Sequence, residues 1–182
     1  MSDCYFRKEL TEMGINIDLD LIDSRMHELE AIIGFRFRDI RNLADAMCVV
    51  KITRKNAGRN SKEYYNNVLA TVGDSVLKLV LSDSLFRKGL HMGELTEYKS
   101  CLESNDRLYS ISEEKGIYRY AFNEAHFFRE DAPDHEKLPD SKHNQYFEAI
   151  VGAVYYDSGF EKCRDWLLDN YYGDILDLIE SE

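Results

Sequence analysis

Proline is nearly absent from this sequence, with two in 182 residues, and glycine contributes only ten. So few chain breakers argue against the frequent tight turns of sandwiches and barrels and leave room for long helices. Cysteine is scarce too: Cys4, Cys48, Cys101 and Cys163 stand far apart without a C-x-x-C pair. That spacing suggests neither a zinc site nor a disulfide framework, and it points to reduced thiols. No apolar run approaches the roughly 20 residues of a membrane helix, and Met1 to Glu9 lack the apolar core of a secretory signal. The expectation is an intracellular protein, cytoplasmic or in an organellar matrix, with no membrane partner. Positive charge is also in deficit, 23 Lys and Arg against 34 Asp and Glu, for a formal charge of -11. Such a surface repels a polyanion unless basic residues are concentrated locally.

What is present fits one folded domain. Hydrophobic residues make up 44% and charged residues 31% of the chain, the balance of a soluble globular protein. Residues 1–20 have weak periodicity and read as an N-terminal extension; residues 21–182 read as the domain. The three- and four-residue spacing of Leu21, Ile22, Met26, Leu29, Ile32 and Ile33 predicts a helix ended by Gly34. A second helix is expected from Asp39 to Val50. A long one is expected from about Lys62 to Arg87, with Tyr65, Val68, Leu69, Val72, Val76, Leu79 and Val80 on its apolar face. Shorter helices follow around 95–102 and 106–115. Residues 121–140, which carry Pro133 and Pro139, read as a surface loop. The stretch 144–156 is apolar on nearly every face, as a central helix would be, and an amphipathic segment through Trp166, Leu167, Ile175 and Leu178 closes the chain.

One basic island interrupts the acidic chain. Lys51, Arg54, Lys55, Arg59 and Lys62 lie in a twelve-residue stretch without an acid. Only there could counterion release favour a nucleic acid; the competing reading is a solvated loop that merely carries charge. Two carboxylates raise the opposite question. Asp74 and Glu148 each fall inside an apolar helical run, where an unpaired charge costs roughly several kcal/mol. Either a basic or backbone donor satisfies each of them, or the two converge from core helices on a divalent cation.

The residues around these acids narrow the choice. Asn66 to Leu77, reading N-N-V-L-A-T-V-G-D-S-V-L, resembles the signature helix of the ribonuclease III family, N-E-x-L-E-x-x-G-D-[AS]-x-L. Gln145 to Phe160 is similar to that family's D-x-x-E-A-[IL]-[IV]-G-A segment and the D-x-G that follows. Gly93-Glu94-Leu95-Thr96 matches its G-E-L-T, followed by Asn105 and Leu108, and Gly34 to Phe37 matches its G-x-x-F. Four segments in the right order make the resemblance specific. It implies an all-α, ribonuclease III endonuclease-domain-like helical bundle and a twofold dimer through the signature helix at Val68, Leu69, Val72 and Val76. The partner would be an identical or related subunit. It also implies action on structured or double-stranded RNA, with Mg2+ or Mn2+ held by four acids.

This chain departs from the pattern at the chemistry. The family's acids fall here at Asn67, Ala70 and Gln145, leaving Asp74 and Glu148 as catalytic and metal-ligand candidates. An alanine cannot ligate and a glutamine offers oxygen without charge, so metal is expected to be weakly bound or absent. His143 is a candidate replacement, although a histidine at a loop-to-helix junction is more often simply exposed. The sequence leaves open whether Glu63, Glu94 or a partner chain supplies a missing ligand. The chain stops at Glu182, soon after its final helix, so the double-stranded-RNA-binding domain common in the family is expected to be absent. Two functions remain open: a metal-dependent endoribonuclease, or a catalytically reduced subunit that dimerises or binds RNA structurally. Ala70 and Gln145 favour the second.

Overall fold

The computed structural model describes residues 19–56, 59–122 and 145–179. Most of these are helical. In chain order the elements are α1 (Leu19–Ile33), α2 (Ile40–Met47), a β-hairpin of β1 (Lys51–Asn56) and β2 (Arg59–Tyr64), α3 (Asn67–Arg87), α4 (Met92–Leu102) and α5 (Asn105–Glu114). A 3-10 turn at Ile117–Tyr120 follows, then α6 (Gln145–Ser158), α7 (Phe160–Leu167), a π-helical turn at Leu168–Tyr172 and α8 (Gly173–Asp177). The expected extension over residues 1–20 lies almost wholly outside the described residues. So do Cys4, His143 and nearly all of the 121–140 loop with both prolines.

The most extensive packing is between α3 and α6. It depends on two glycines. A Cβ built on Gly73 would sit 1.8 Å from the Glu148 carbonyl oxygen, and one on Gly152 would sit 2.3 Å from the Leu69 carbonyl oxygen. Two backbones can meet this closely only where neither carries a side chain. Around this seam Leu77, Val80, Leu81 and Leu85 of α3 are buried, as are Phe147, Ile150, Val151 and Val154 of α6, while α1 adds Met26, Leu29 and Ile33.

Polar anchors fix the surrounding elements. Asp157 at the end of α6 accepts backbone N–H bonds from Arg38 at 3.1 Å and Asp39 at 3.0 Å, and a third bond from the Asn42 amide at 3.1 Å. Burial acts to raise the Asp157 pKa, but these bonds outweigh it and hold the carboxyl below its ordinary value. Asp39 itself caps α2 by accepting from the Arg41 N–H. Glu30 is only 4% exposed, and its carboxylate accepts the Phe37 N–H at 2.7 Å beside His27 Nδ1 at 2.9 Å. At the other end, Trp166 Nε1 and the Tyr171 hydroxyl both donate to the Ile33 carbonyl, at 2.8 and 3.2 Å.

The basic island departs from the solvated-loop reading. Lys51–Asn56 and Arg59–Tyr64 pair antiparallel, with Lys51 opposite Tyr64 and Asn56 opposite Arg59. The ladder continues inward, where the Tyr65 N–H donates to the Val50 carbonyl at 2.9 Å, and Ile52 is buried. Backbone pairing and one apolar anchor are enough to order a polar segment next to a core. The hairpin claims Lys62 to Tyr64, so α3 begins at Asn67 and not at Lys62. Tyr65 is buried ahead of the helix, outside its apolar face. Leu178, expected on the apolar side of the last segment, is exposed.

Candidate functional site

The face of α3 that carries the chemistry follows from helical spacing. Asn67, Ala70, Asp74 and Lys78 recur at three and four residues and so form one stripe along the helix. Across the glycine seam, Glu148 sits in the first turn of α6, with Gln145 one turn before it on the same face. The close approach of Gly73 to the Glu148 backbone brings the carboxylates of Asp74 and Glu148 into mutual range.

Their electrostatics differ. Burial first, and the Asp74 charge second, push the Glu148 carboxyl up to about 7, while the Lys78 charge pulls in the opposite direction. Asp74 has a direct partner: Lys78 Nζ donates to Asp74 Oδ2 at 2.8 Å, one helical turn away. That bond raises the Lys78 pKa against the effect of burial, with Asp74, Glu103 and Glu148 adding attraction through space. Glu103, at the end of α4, is itself paired with Lys99 at 2.9 Å. On the walls, Asn67 Oδ1 and Gln145 Oε1 are buried acceptors that meet no donor among the described residues.

Of the expected acidic set, the fold therefore brings Asp74 and Glu148 together and places Ala70 and Gln145 on the same two helix faces. Among the described residues, no three His, Cys, Asp or Glu side chains are arranged to hold a metal ion. Glu94 has a local backbone partner. Its carboxylate accepts the His91 N–H at 3.1 Å and closes a capping box at the start of α4. Glu63 lies on β2, opposite Ile52. Lys78 is the site residue that the sequence reading passed over. Its position four residues after Asp74 is the spacing of a helical acid-to-base pair, and that was the available signal.

The second feature is the outer face of α3. Val68 is 52% exposed and Leu79 55% exposed, with Tyr156 of α6 also open to solvent. An apolar groove of about 480 Å³ runs between Val72, Val76 and Leu79 on one side and Tyr155 and Phe160 on the other. Leu69 and Val72 are half-buried. Val76, expected at the dimer interface, is 8% exposed and belongs to the core. The basic residues map to the hairpin: Lys51, Arg54 and Lys55 on β1, Arg59 and Lys62 on β2. Lys51 Nζ lies over the Tyr64 ring at 5.3 Å from its centre.

A family model described as the ribonuclease III domain matches residues 67–159, from the first residue of α3 to the glycine after α6. Ribonuclease 3 of Caenorhabditis briggsae is 31% identical over 159 residues, covering 86% of this chain and 14% of that protein. Ribonuclease 3 of Clostridium acetobutylicum is 27% identical over 164 residues, covering 86% of this chain and 66% of that protein. This chain thus spans less than two thirds of the length of either relative. Among solved structures, the nuclease domain of ribonuclease III from Campylobacter jejuni superposes with a TM-score of 0.60 at 23% identity, covering 81% of this chain and 94% of that one. A second structure of that domain, described for flexibility in its region involved in dimer formation, gives 0.57, with 79% and 96% covered. At this identity the likeness is one of fold.

Proposed function

Because this chain belongs to the ribonuclease III family, we propose that it is a subunit with lost or reduced phosphodiester hydrolysis, acting through dimerisation and as a structural partner of double-stranded RNA. One observation carries the reading: of the acidic positions facing the α3–α6 seam only Asp74 and Glu148 survive, and Asp74 is already bonded to Lys78 at 2.8 Å. A divalent ion bound by oxygen needs charged ligands to offset its dehydration. Ala70 cannot ligate, Gln145 is neutral, and an ammonium holds the carboxylate that would come first. The residues present do not fit a catalytic metal, and no hydrolytic step is assigned to them.

The remaining features suit a binding role. The exposed apolar strip of α3 is long enough to be self-complementary, the arrangement by which two copies, or this chain and a related subunit, bury one patch against another. Lys51, Arg54, Lys55, Arg59 and Lys62 concentrate on the hairpin the positive charge that the rest of an acidic surface lacks. No described helix is long and apolar enough to cross a membrane. Cys163 is a buried free thiol, in keeping with a reducing intracellular compartment.

The test is a gel-shift titration of long duplex RNA in Mg2+ or Mn2+, run beside the charge-reversed variant Arg54→Glu/Lys55→Glu/Arg59→Glu. The expected result is a salt-sensitive shift of intact RNA that the variant loses while keeping its helicity. Unchanged binding by the variant would move the RNA surface elsewhere. Cut RNA in the wild-type lanes would establish the active endoribonuclease reading.

A further inference from the structure

We propose that Lys78 is the resident cation of this site: its ammonium holds the Asp74 carboxylate, close to Glu148, from within the chain and makes the site independent of divalent metal. The inference rests on reading the chain as a catalytically reduced subunit and says why the surviving acids persist. Asp74 and Glu148 lie within electrostatic range of one another, because Gly73 and Gly152 let the backbones of α3 and α6 meet. Two carboxylates within range of each other repel, and a cation beside them relieves that repulsion. Lys78 supplies that charge. Its Nζ is 2.8 Å from Asp74 Oδ2, and Glu148 and Glu103 attract it through space. The acid precedes the base by four residues on α3, the orientation that a helix favours.

The same geometry makes the ammonium and a metal ion competitors. An ion that uses Asp74 Oδ2 must displace Lys78, and an ion on either oxygen of that carboxylate lies beside a positive charge. The walls would otherwise keep some capacity for a cation, because Asn67 Oδ1 and Gln145 Oε1 are buried oxygens that meet no donor among the described residues. Lys78 is thus the group that excludes the metal, over and above the loss of acids at Ala70 and Gln145. Its own side chain is 44% exposed, so replacing it leaves the core untouched.

The experiment is a titration of the full chain with Mn2+ alone, read by electron paramagnetic resonance of the free ion, for wild type, Lys78→Gln, Lys78→Arg and Lys78→Gln/Asp74→Asn. Wild type and Lys78→Arg should bind no stoichiometric Mn2+. Lys78→Gln should gain a site about tenfold or more tighter than any wild-type binding, the lower end of what groups beside metal ligands contribute. The added Asp74→Asn change should abolish that gain. Equal Mn2+ binding by wild type and Lys78→Gln, whether both bind or neither does, would overturn the proposal. So would a gain that survives Asp74→Asn. Lys78→Arg guards against a folding artefact, since it keeps the charge and must behave as wild type. Metal binding is read here without RNA, so failure of this inference is separate from failure of the subunit reading, which RNA cleavage decides.

Discussion

Replacing Gly73 with alanine adds a single methyl group, and the structure gives it nowhere to go. That carbon would lie 1.8 Å from the Glu148 carbonyl oxygen and 2.7 Å from the Gly152 nitrogen. Both obstacles are backbone, so no rotamer change relieves the clash; α3 and α6 must move apart by more than 1 Å, roughly, to restore ordinary contact. Two effects oppose each other. Alanine is favoured over glycine inside a helix by about 1 kcal/mol. Overpacking a dense core costs about 1–3 kcal/mol, occasionally more, and the α3–α6 contact is the most extensive in the fold. A clash with backbone on both sides falls at the upper end of that range, about 3 kcal/mol, which leaves a net loss of about 2 kcal/mol and a fall of roughly 4–8 °C in Tm for a chain of this size. Gly93→Ala is the matched control. A Cβ there meets nothing within 4 Å, so the variant should melt at or slightly above the wild-type temperature. The assay is a thermal melt followed by circular dichroism at 222 nm, roughly the helical minimum. A Gly73→Ala protein that melts at or above the wild type would refute the close backbone approach and, with it, the facing of Asp74 and Glu148.

The raised pKa of Glu148 carries a pH dependence. Its folded value near 7 lies above the ordinary 4.5, so the folded state binds this proton more tightly and stability falls as pH rises from 4.5 through 7. Glu148→Gln removes that loss; urea melts should show the variant gaining on wild type across this window, by up to about 1 kcal/mol after discounting for solvent screening, and a constant difference would contradict the shift. Leu79→Glu places a charge on the exposed apolar strip of α3 and should convert a species of about twice 21.3 kDa into one of 21.3 kDa by light scattering, whereas a wild-type monomer at micromolar concentration would remove the dimer. Ala70→Glu/Gln145→Asp rebuilds two lost acids, but Ala70 is 3% exposed, so the variant should melt lower, by about 1–3 kcal/mol of overpacking. If it remains folded, Mn2+ should raise its Tm, and more so when Lys78→Gln is added; no response in either protein would contradict the assignment of these positions.

Much of this molecule could be read in the sequence for a physical reason: long helices announce themselves by periodicity, and the anomalous Asp74 and Glu148 stand out against apolar neighbours. The facing of those two acids was legible only through the small residues beside them, Gly73 and Gly152, whose contact is tertiary. The hairpin was not read. Its strands, KITRKN and RNSKEY, are short and polar, so the apolar alternation that marks a half-buried strand is missing. The pairing of Lys78 with Asp74 was present as spacing, but its meaning depends on Glu148, seventy residues away. The capping role of Glu94 at the start of α4 was not legible as such, because it is set by the backbone amide of His91. Glu30 drew no notice as a buried acid, because its partner at Phe37 arises only when the chain turns back after Gly34.

The central claim, that RNA hydrolysis at this site is lost or reduced, is tested most directly by single-turnover cleavage of end-labelled long duplex RNA. Wild type and Asp74→Asn would be compared in Mg2+ and again in Mn2+, with protein in excess over RNA. The account predicts the same background rate for both proteins with both ions, because Asp74 is committed to Lys78 and its former partners are Ala70 and Gln145. A wild-type rate that is metal-dependent and lost in Asp74→Asn would contradict it and make this chain an active endoribonuclease.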